Sequence, residues 1–429
     1  MNILRMKRII WTLPIPSSDN PNLITMRAPS LLVGAAAILG VAGSVIPIPP
    51  AMLDLTCGAA SALTVETTGG TVHGTIDPST PCVRRFLGIP YAQPPVGELR
   101  FAPPQPPHPF GELQANTMPP ACMQFRWTSP PSIYSVYLNE FNVGGPNQMA
   151  QAVSEDCLTL SVWASASPNA THGRLPVLVW LHGGAFIMGG QNVPYQIPAP
   201  WVQSSEDFVI VTLDYRLNIF GFPNAAGLPN DKQNVGLLDQ RMAIQWVRDN
   251  IAAFGGDPNR ITLWGQSAGA ISAGFYQYAY PSDPIVKGFI TDSGSELLRA
   301  GVLAAADATH ANFTNVADKV GCGGLGPEEE LTCMRSDNVS ALAIETTIQA
   351  YNEAGHLLLF TPVIDGVTTF SDYHARSVAG QLAKLVCALL LYGVSCARCA
   401  DNRRAFPRQT AHYHRNECRR GCCLCAAPS

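Results

Sequence analysis

The sequence predicts an α/β fold built on a mostly parallel central sheet flanked by helices, and three observations carry that prediction. Val177–His182 and Phe208–Leu213 are continuous apolar runs, as expected of strands covered on both faces. Between 235 and 251 the period changes: Leu238, Met242 and Trp246 recur at i+4, with Ile244, Val247 and Ile251 alongside, which is the stripe of an amphipathic helix. The two kinds of segment then alternate, an order that favours right-handed crossovers between parallel strands. In chain order, residues 78–130 are rich in proline and are read as extended loops with short strands. The apolar runs at 177–182 and 208–213 are strands, and the helix over 235–251 is ended by Gly255-Gly256-Asp257-Pro258. Ile261–Trp264 is a strand, Ser267 to about Tyr278 a helix, and Gly288–Asp292 a further strand. No internal repeat is visible.

With 429 residues, 47% hydrophobic and 14% charged, the chain can bury one large core and does not have a disordered composition. A formal net charge of −4 leaves no basic surplus for a nucleic-acid partner. Of the 13 cysteines, Cys57, Cys82, Cys122, Cys157, Cys322 and Cys333 are spread over the body, and the others crowd the end of the chain. Spaced cysteines suit an oxidising compartment, as do the acceptor triplets at Asn169, Asn312 and Asn338. Met26-Arg27, the apolar run 31–46 and the prolines at 47, 49 and 50 read as a secretory signal over 26–50. Residues 31–46 are shorter than a membrane-spanning helix needs, so membrane association is expected only if the signal stays uncleaved. Residues 1–25 then form an N-terminal extension ahead of the natural start.

The chemistry is concentrated in two short segments. Gly265-Gln266-Ser267-Ala268-Gly269 lies between a predicted strand and a predicted helix. A serine in so sharp a turn needs small residues two positions away on each side, and the amides opening the helix face it with partial positive charge. His182-Gly183-Gly184-Ala185-Phe186 follows an earlier strand, and glycines there leave backbone N–H groups unobstructed. The amides of Gly183, Gly184 and Ala268 are therefore candidate donors to an oxyanion, with Ser267 as the nucleophile.

These segments occur with others. Phe86-Leu87-Gly88-Ile89-Pro90-Tyr91-Ala92-Gln93-Pro94-Pro95-Val96-Gly97, Ser154-Glu155-Asp156-Cys157-Leu158, Asp214-Tyr215-Arg216-Leu217, Asn234–Gln240, Phe254–Pro258 and Phe360–Gly366 stand in one order along the chain. Together they resemble the type-B carboxylesterase/lipase family, which includes fungal esterases and lipases and, more distantly, cholinesterases. The resemblance covers about residues 65–385. It implies an α/β-hydrolase fold, a small-molecule or lipid carboxylic ester as substrate, and neither metal nor organic cofactor. It also implies the disulfides Cys122–Cys157 and Cys322–Cys333, but no partner for Cys57 or Cys82. Gln266 stands where many members carry Glu. Ser293 matches a family position near the nucleophile and is read as structural. Arg216 and Asp239 are expected to pair inside the fold, and His182 to orient the glycine loop. An alternative is a non-catalytic, cholinesterase-like binding scaffold; the intact Ser267 and its glycines favour the enzyme.

The acid and histidine that should follow the serine are not found. Where the resemblance expects an acid, Ala388–Ser395 holds no carboxylate, and His414-Arg415-Asn416-Glu417 fits the histidine stretch poorly. Residues 386–429 change character: the last 43 hold seven Arg, seven Cys, no Lys and only Asp401 and Glu417 as acids. This tail is expected to be disordered and the hydrolase domain to lack its C-terminal part, through a reading-frame or splicing change after about Leu385. A zinc site from Cys396, Cys399, His412, His414, Cys418 and Cys422 has no recognised spacing. The sequence thus predicts a secreted serine ester hydrolase that is weak or inactive in this form.

Overall fold

The computed structural model describes residues 63–124, 152–166, 173–298, 307, 309–356, 358–383 and the backbone of 387–390. The signal at 26–50 with its apolar run 31–46, the extension 1–25, Cys57, Asn169 and the tail from 391, with its cysteines and histidines, lie outside them. Among the described residues, no helix is long and apolar enough to cross a membrane.

The strands are β1 (Thr64–Thr67), β2 (Gly70–His73), β3 (Thr75–Asp77), β4 (Thr80–Pro90), β5 (Gly111–Gln114), β6 (Ala121–Cys122), β7 (Val153–Ser154), β8 (Thr159–Ser165), β9 (Leu175–Leu181), β10 (Val209–Leu213), β11 (Gly256–Gln266), β12 (Gly288–Asp292) and β13 (Cys387–Leu390). The helices are α1 (Ala199–Ser205), α2 (Asn218–Gly221), α3 (Val235–Asn250), α4 (Ala268–Ala279), α5 (Ala311–Lys319), α6 (Pro327–Arg335), α7 (Ala341–Glu353) and α8 (Tyr373–Val378). Eight strands form the central sheet in the order β13-β12-β11-β9-β10-β8-β4-β3. From β13 to β10 neighbours run parallel, and from β10 to β3 antiparallel.

The apolar runs behave as their composition requires. All five residues of β10 are buried, since it sits inside the sheet with layers on both sides. The α3 stripe buries Ile244, Trp246, Val247 and, just past its end, Ile251, whereas Leu238 and Met242 of the i+4 series stay half-buried. Every residue of α4 from Ala268 to Tyr276 is buried, and its Ala, Gly and Ser side chains are small enough to let the helix lie close against β11.

Two expectations change. The segment 78–130, read as loops with short strands, contains the 11-residue β4 inside the central sheet. Its burial alternates irregularly, because bulges interrupt its pairing with β8 between Phe86 and Ile89 and with β3 between Ile76 and Asp77. The sheet also runs to Leu390, past the compositional boundary at 385, through β13 paired to β12.

Helices α5 to α7 are fastened to the body by Arg100. Its guanidinium makes a two-pronged bond to Glu155 (2.6 and 2.8 Å) and donates to the carbonyls of Met334 and Val339, each at 2.7 Å. Both expected disulfides, Cys122–Cys157 and Cys322–Cys333, are formed; such bonds contribute about 2–4 kcal/mol each. Cys82 is disulfide-bonded as well. Asn338 is exposed between α6 and α7, whereas Asn312, at the start of α5, is half-buried.

Candidate active site

Ser267 occupies the turn from β11 into α4 with φ 52° and ψ −117°, a left-handed conformation that costs a non-glycine residue about 1–3 kcal/mol. The surroundings enforce it. The Ser267 N–H donates to Asp292 O on β12 (2.8 Å), and the Ser267 carbonyl accepts from Ile271 N (2.9 Å). The small neighbours are needed sterically: a Cβ on Gly265 would lie 2.3 Å from the carbonyl group of Gly269, and one on Gly294 would lie 2.4 Å from Ser267 O. Ser293, exposed and at φ 56°, ends β12 beside this turn.

The glycine loop is brought to the same place. A Cβ on Gly183 would stand 3.2 Å from Ser267 Cβ and 2.9 Å from Gln266 O, so the loop backbone passes directly against the serine. Gly184 has φ +107°, and Ala185 and Phe186 follow with φ 57° and 65°. Three carbonyls of this loop are held by hydrogen bonds. His182 O accepts from Tyr215 OH (2.9 Å), Gly184 O accepts from the amides of Ile187 and Met188 (3.0 and 3.1 Å), and Phe186 O accepts from Asn218 N (2.7 Å). In a trans peptide the N–H points opposite to the C=O, so the amide of Ala185 is aimed away from the turn formed by 187 and 188. Sequence reasoning named Gly183 and Gly184 and passed over Ala185. Its left-handed φ is the signal, and no composition rule exposes it.

Behind the loop lies a buried polar layer that the sequence does not announce. Gln124 holds Gly189 at both ends, donating to its carbonyl (2.8 Å) and accepting from its N–H (2.9 Å). Gln191 donates from its backbone and side-chain amides to Asp214 (2.8 and 2.9 Å). Burial raises the Asp214 carboxyl to about 7, against these two bonds that lower it. His182 is 1% exposed, and burial lowers it to about 4, so it is not a candidate proton acceptor at neutral pH. Arg216 and Asp239 pair as expected, with bonds of 2.6 and 2.8 Å. Of the histidines beyond Ser267, His310 is bonded to Asn224 O (2.9 Å) and His356 packs on Tyr351.

Glu345 on α7 is the least expected member of the layer. It is 3% exposed and accepts from Asn218 Nδ2 at 3.3 and 3.4 Å. Burial pushes its carboxyl from the ordinary 4.5 to about 8, with the Asn218 bond opposing. The folded protein therefore binds a proton here that the unfolded chain has released. This contribution to stability is complete below about pH 4.5 and is lost as pH rises through about 8, with a slope of up to about 1.4 kcal/mol per pH unit. Glu345→Gln stays neutral, so it is expected to match the parent in urea midpoint near pH 4.5 and to exceed it increasingly up to pH 8. Parallel midpoint curves for the two proteins across that range would show that Glu345 does not hold its proton. Asp214 titrates in both and cancels in the comparison.

Residues 61–390 match the model of the carboxylesterase family. The chain is 44% identical over 325 residues to a chlorogenic acid esterase from Aspergillus niger, covering 75% of this chain and 60% of that protein. It is 40% identical over 340 residues to secreted lipase 5 from Gibberella zeae, covering 76% and 62%. It is 36% identical over 308 residues to an acetylcholinesterase from Electrophorus electricus, covering 71% and 47%. The chain thus spans less than two thirds of the length of these curated relatives. With the sheet, the elbow and the matched span agreeing, this chain belongs to the carboxylesterase family and has its α/β-hydrolase fold.

Proposed function

We propose that this chain carries the nucleophile and oxyanion site of a secreted serine hydrolase acting on small-molecule or lipid carboxylic esters. One observation supports this most: the glycine loop packs against Ser267 at the tight bend. In this reading Ser267 Oγ attacks the ester carbonyl carbon, the new C–O bond replaces the ester's bond to its alcohol oxygen, and the Oγ proton ends on the departing alcohol. Water then hydrolyses the acyl-enzyme to the acid. The amides of Gly183, Gly184 and Ala268, with that of Ala185 beside them, stabilise the tetrahedral oxyanion in both halves, a contribution of about 2.7–4 kcal/mol per donor in comparable sites. No acid–histidine pair is assigned after Ser267, so turnover by this chain is expected to be far slower than that of a complete triad. Extracellular location is supported by the disulfides and by the name of one fungal relative, a secreted lipase.

A fluorophosphonate probe tests the core of the reading. Attack by Oγ forms a P–O bond and expels fluoride, with the Oγ proton passing to water. Slow but saturable labelling of the folded chain is expected, falling about 100-fold or more in Ser267→Ala. Labelling that survives the substitution, or none at all in a sample with a cooperative melt, would remove the hydrolase assignment and favour a non-catalytic scaffold.

A further inference from the structure

The loop beside Ser267 has an unusual anchor. The His182 carbonyl is held by the Tyr215 hydroxyl and the Gly184 carbonyl by two backbone amides. The carbonyl between them, Gly183 O, is met by the side chain of the residue before it: His182 Nδ1 stands 2.8 Å away. The same peptide carries the N–H of Gly184 at its other end. Neither residue carries a side chain, and Gly184 stands at φ +107°, where a glycine meets no Cβ penalty.

We propose that His182 is a positioning residue of the oxyanion site: as the neutral tautomer protonated at Nδ1, it locks the Gly183–Gly184 peptide so that the Gly184 N–H faces the Ser267 hydroxyl. The proposal rests on the reading of Ser267 as nucleophile. The tautomer follows from the partner. A carbonyl oxygen only accepts, so the nitrogen facing it must carry the proton, and Nε2 is left bare. Among the described residues, Nε2 is indeed buried with no hydrogen-bond partner. Burial keeps the ring neutral by lowering its pKa to about 4. The ring has one seat. It stacks on Tyr215 with centroids 4.4 Å apart and planes 15° from parallel. On its other flank a Cβ at Gly189 would fall 2.3 Å from Nδ1, and Gln124 pins Gly189 there from both ends. The Tyr215 hydroxyl is held protonated by burial and the nearby Asp214, so it remains a donor to the His182 carbonyl.

The test combines two readouts on the full chain. Nitrogen-15 spectra of histidine-labelled protein, with the His182 signals assigned by their loss in His182→Asn, are expected to show Nδ1 protonated and Nε2 bare between pH 5.5 and 8. An Nε2-protonated or mixed pattern overturns the proposal. Asparagine can present an amide N–H where Nδ1 lies, whereas phenylalanine fills the slot without a donor. His182→Phe is therefore expected to slow fluorophosphonate capture about tenfold or more and to shift the Gly184 amide resonance, with both largely restored in His182→Asn. An unmoved Gly184 resonance in His182→Phe overturns the lock, whatever the capture rate. If His182→Phe does not fold, His182→Asn and the tautomer still decide: wild-type-like capture with Nδ1 protonated supports the lock. If the parent chain captures no probe while the tautomer and the Gly184 shift are as expected, the hydrolase reading fails and the lock stands.

Discussion

Asp239→Ala is expected to destabilise the chain by about 3–5 kcal/mol, a large part of the roughly 5–15 kcal/mol that holds a typical domain folded. The Arg216 guanidinium reaches both Asp239 oxygens, and the Arg216 N–H donates to the same carboxylate at 3.1 Å. The two side chains are 3% and 0% exposed, so water cannot replace the lost carboxylate. Among the described residues, the carbonyls of Ala102, at 2.7 Å from Nη1, and of Leu99, at 3.5 Å, stay as partners for the charge. The damage has a definite address. Arg216 follows Tyr215, whose ring carries His182 and whose hydroxyl holds the glycine loop, so this pair underlies the candidate oxyanion site. Removing the charge as well should restore much of the loss, because a buried ion pair is often no better than apolar groups of similar volume. Arg216→Met combined with Asp239→Leu is expected to recover part of it, the remainder being the freed Arg216 N–H and Ala102 carbonyl. Urea denaturation of the parent, Asp239→Leu, Arg216→Met and the double variant measures the coupling. A loss under about 1 kcal/mol for Asp239→Ala would mean that the pair is not shielded as described.

The legible parts of this fold are those whose physics is local. β10 is an apolar run buried at every residue and β9 one buried over most of its second half, and α3 carries a helical period over 16 residues, so period and composition suffice for these. The elbow was legible because Gly265, Ser267 and Gly269 are required by a single turn. β4 was not, because it carries Arg84 and Arg85 and is bounded by prolines. Arg84 finds its partners across the chain, in the carbonyls of Ser165 and Phe254, and Arg85 pairs with Asp77 on the neighbouring strand; the first of these no short window of sequence shows. The same limit hid the layer behind the glycine loop. Gln124 finds Gly189 across 65 residues and Glu345 finds Asn218 across 127. A glutamine in a proline-rich stretch and a glutamate on an amphipathic helix read as ordinary surface residues until the fold buries them. The disulfides came from resemblance, since spacing alone leaves the pairing open.

Gly269→Ala is expected to slow fluorophosphonate capture by about 100-fold while costing about 1–3 kcal/mol of stability. The added methyl would sit 2.0 Å from Leu181 O, 2.7 Å from Leu181 C and 2.9 Å from His182 O. These are backbone atoms, and Leu181 cannot yield: it is paired on one side to Leu213 and on the other to Gly265, in the middle of the sheet. The helix must give way instead, and α4 begins at Ala268, so its retreat carries Ser267 away from Gly183. Misplacing a reacting group by about 1 Å is enough for a loss of this size. Gly321→Ala is the control for backbone strain alone: its φ is +92°, nothing lies within 4 Å of the added Cβ, and it sits far along the chain between α5 and α6. It should lose stability through its left-handed backbone and keep the parent capture rate. The contrast matters because the two substitutions are chemically identical. If both slow capture equally, general loosening explains the effect. If Gly269→Ala leaves capture unchanged, the contact between the elbow helix and the end of β9 does not set the distance from the serine to the loop.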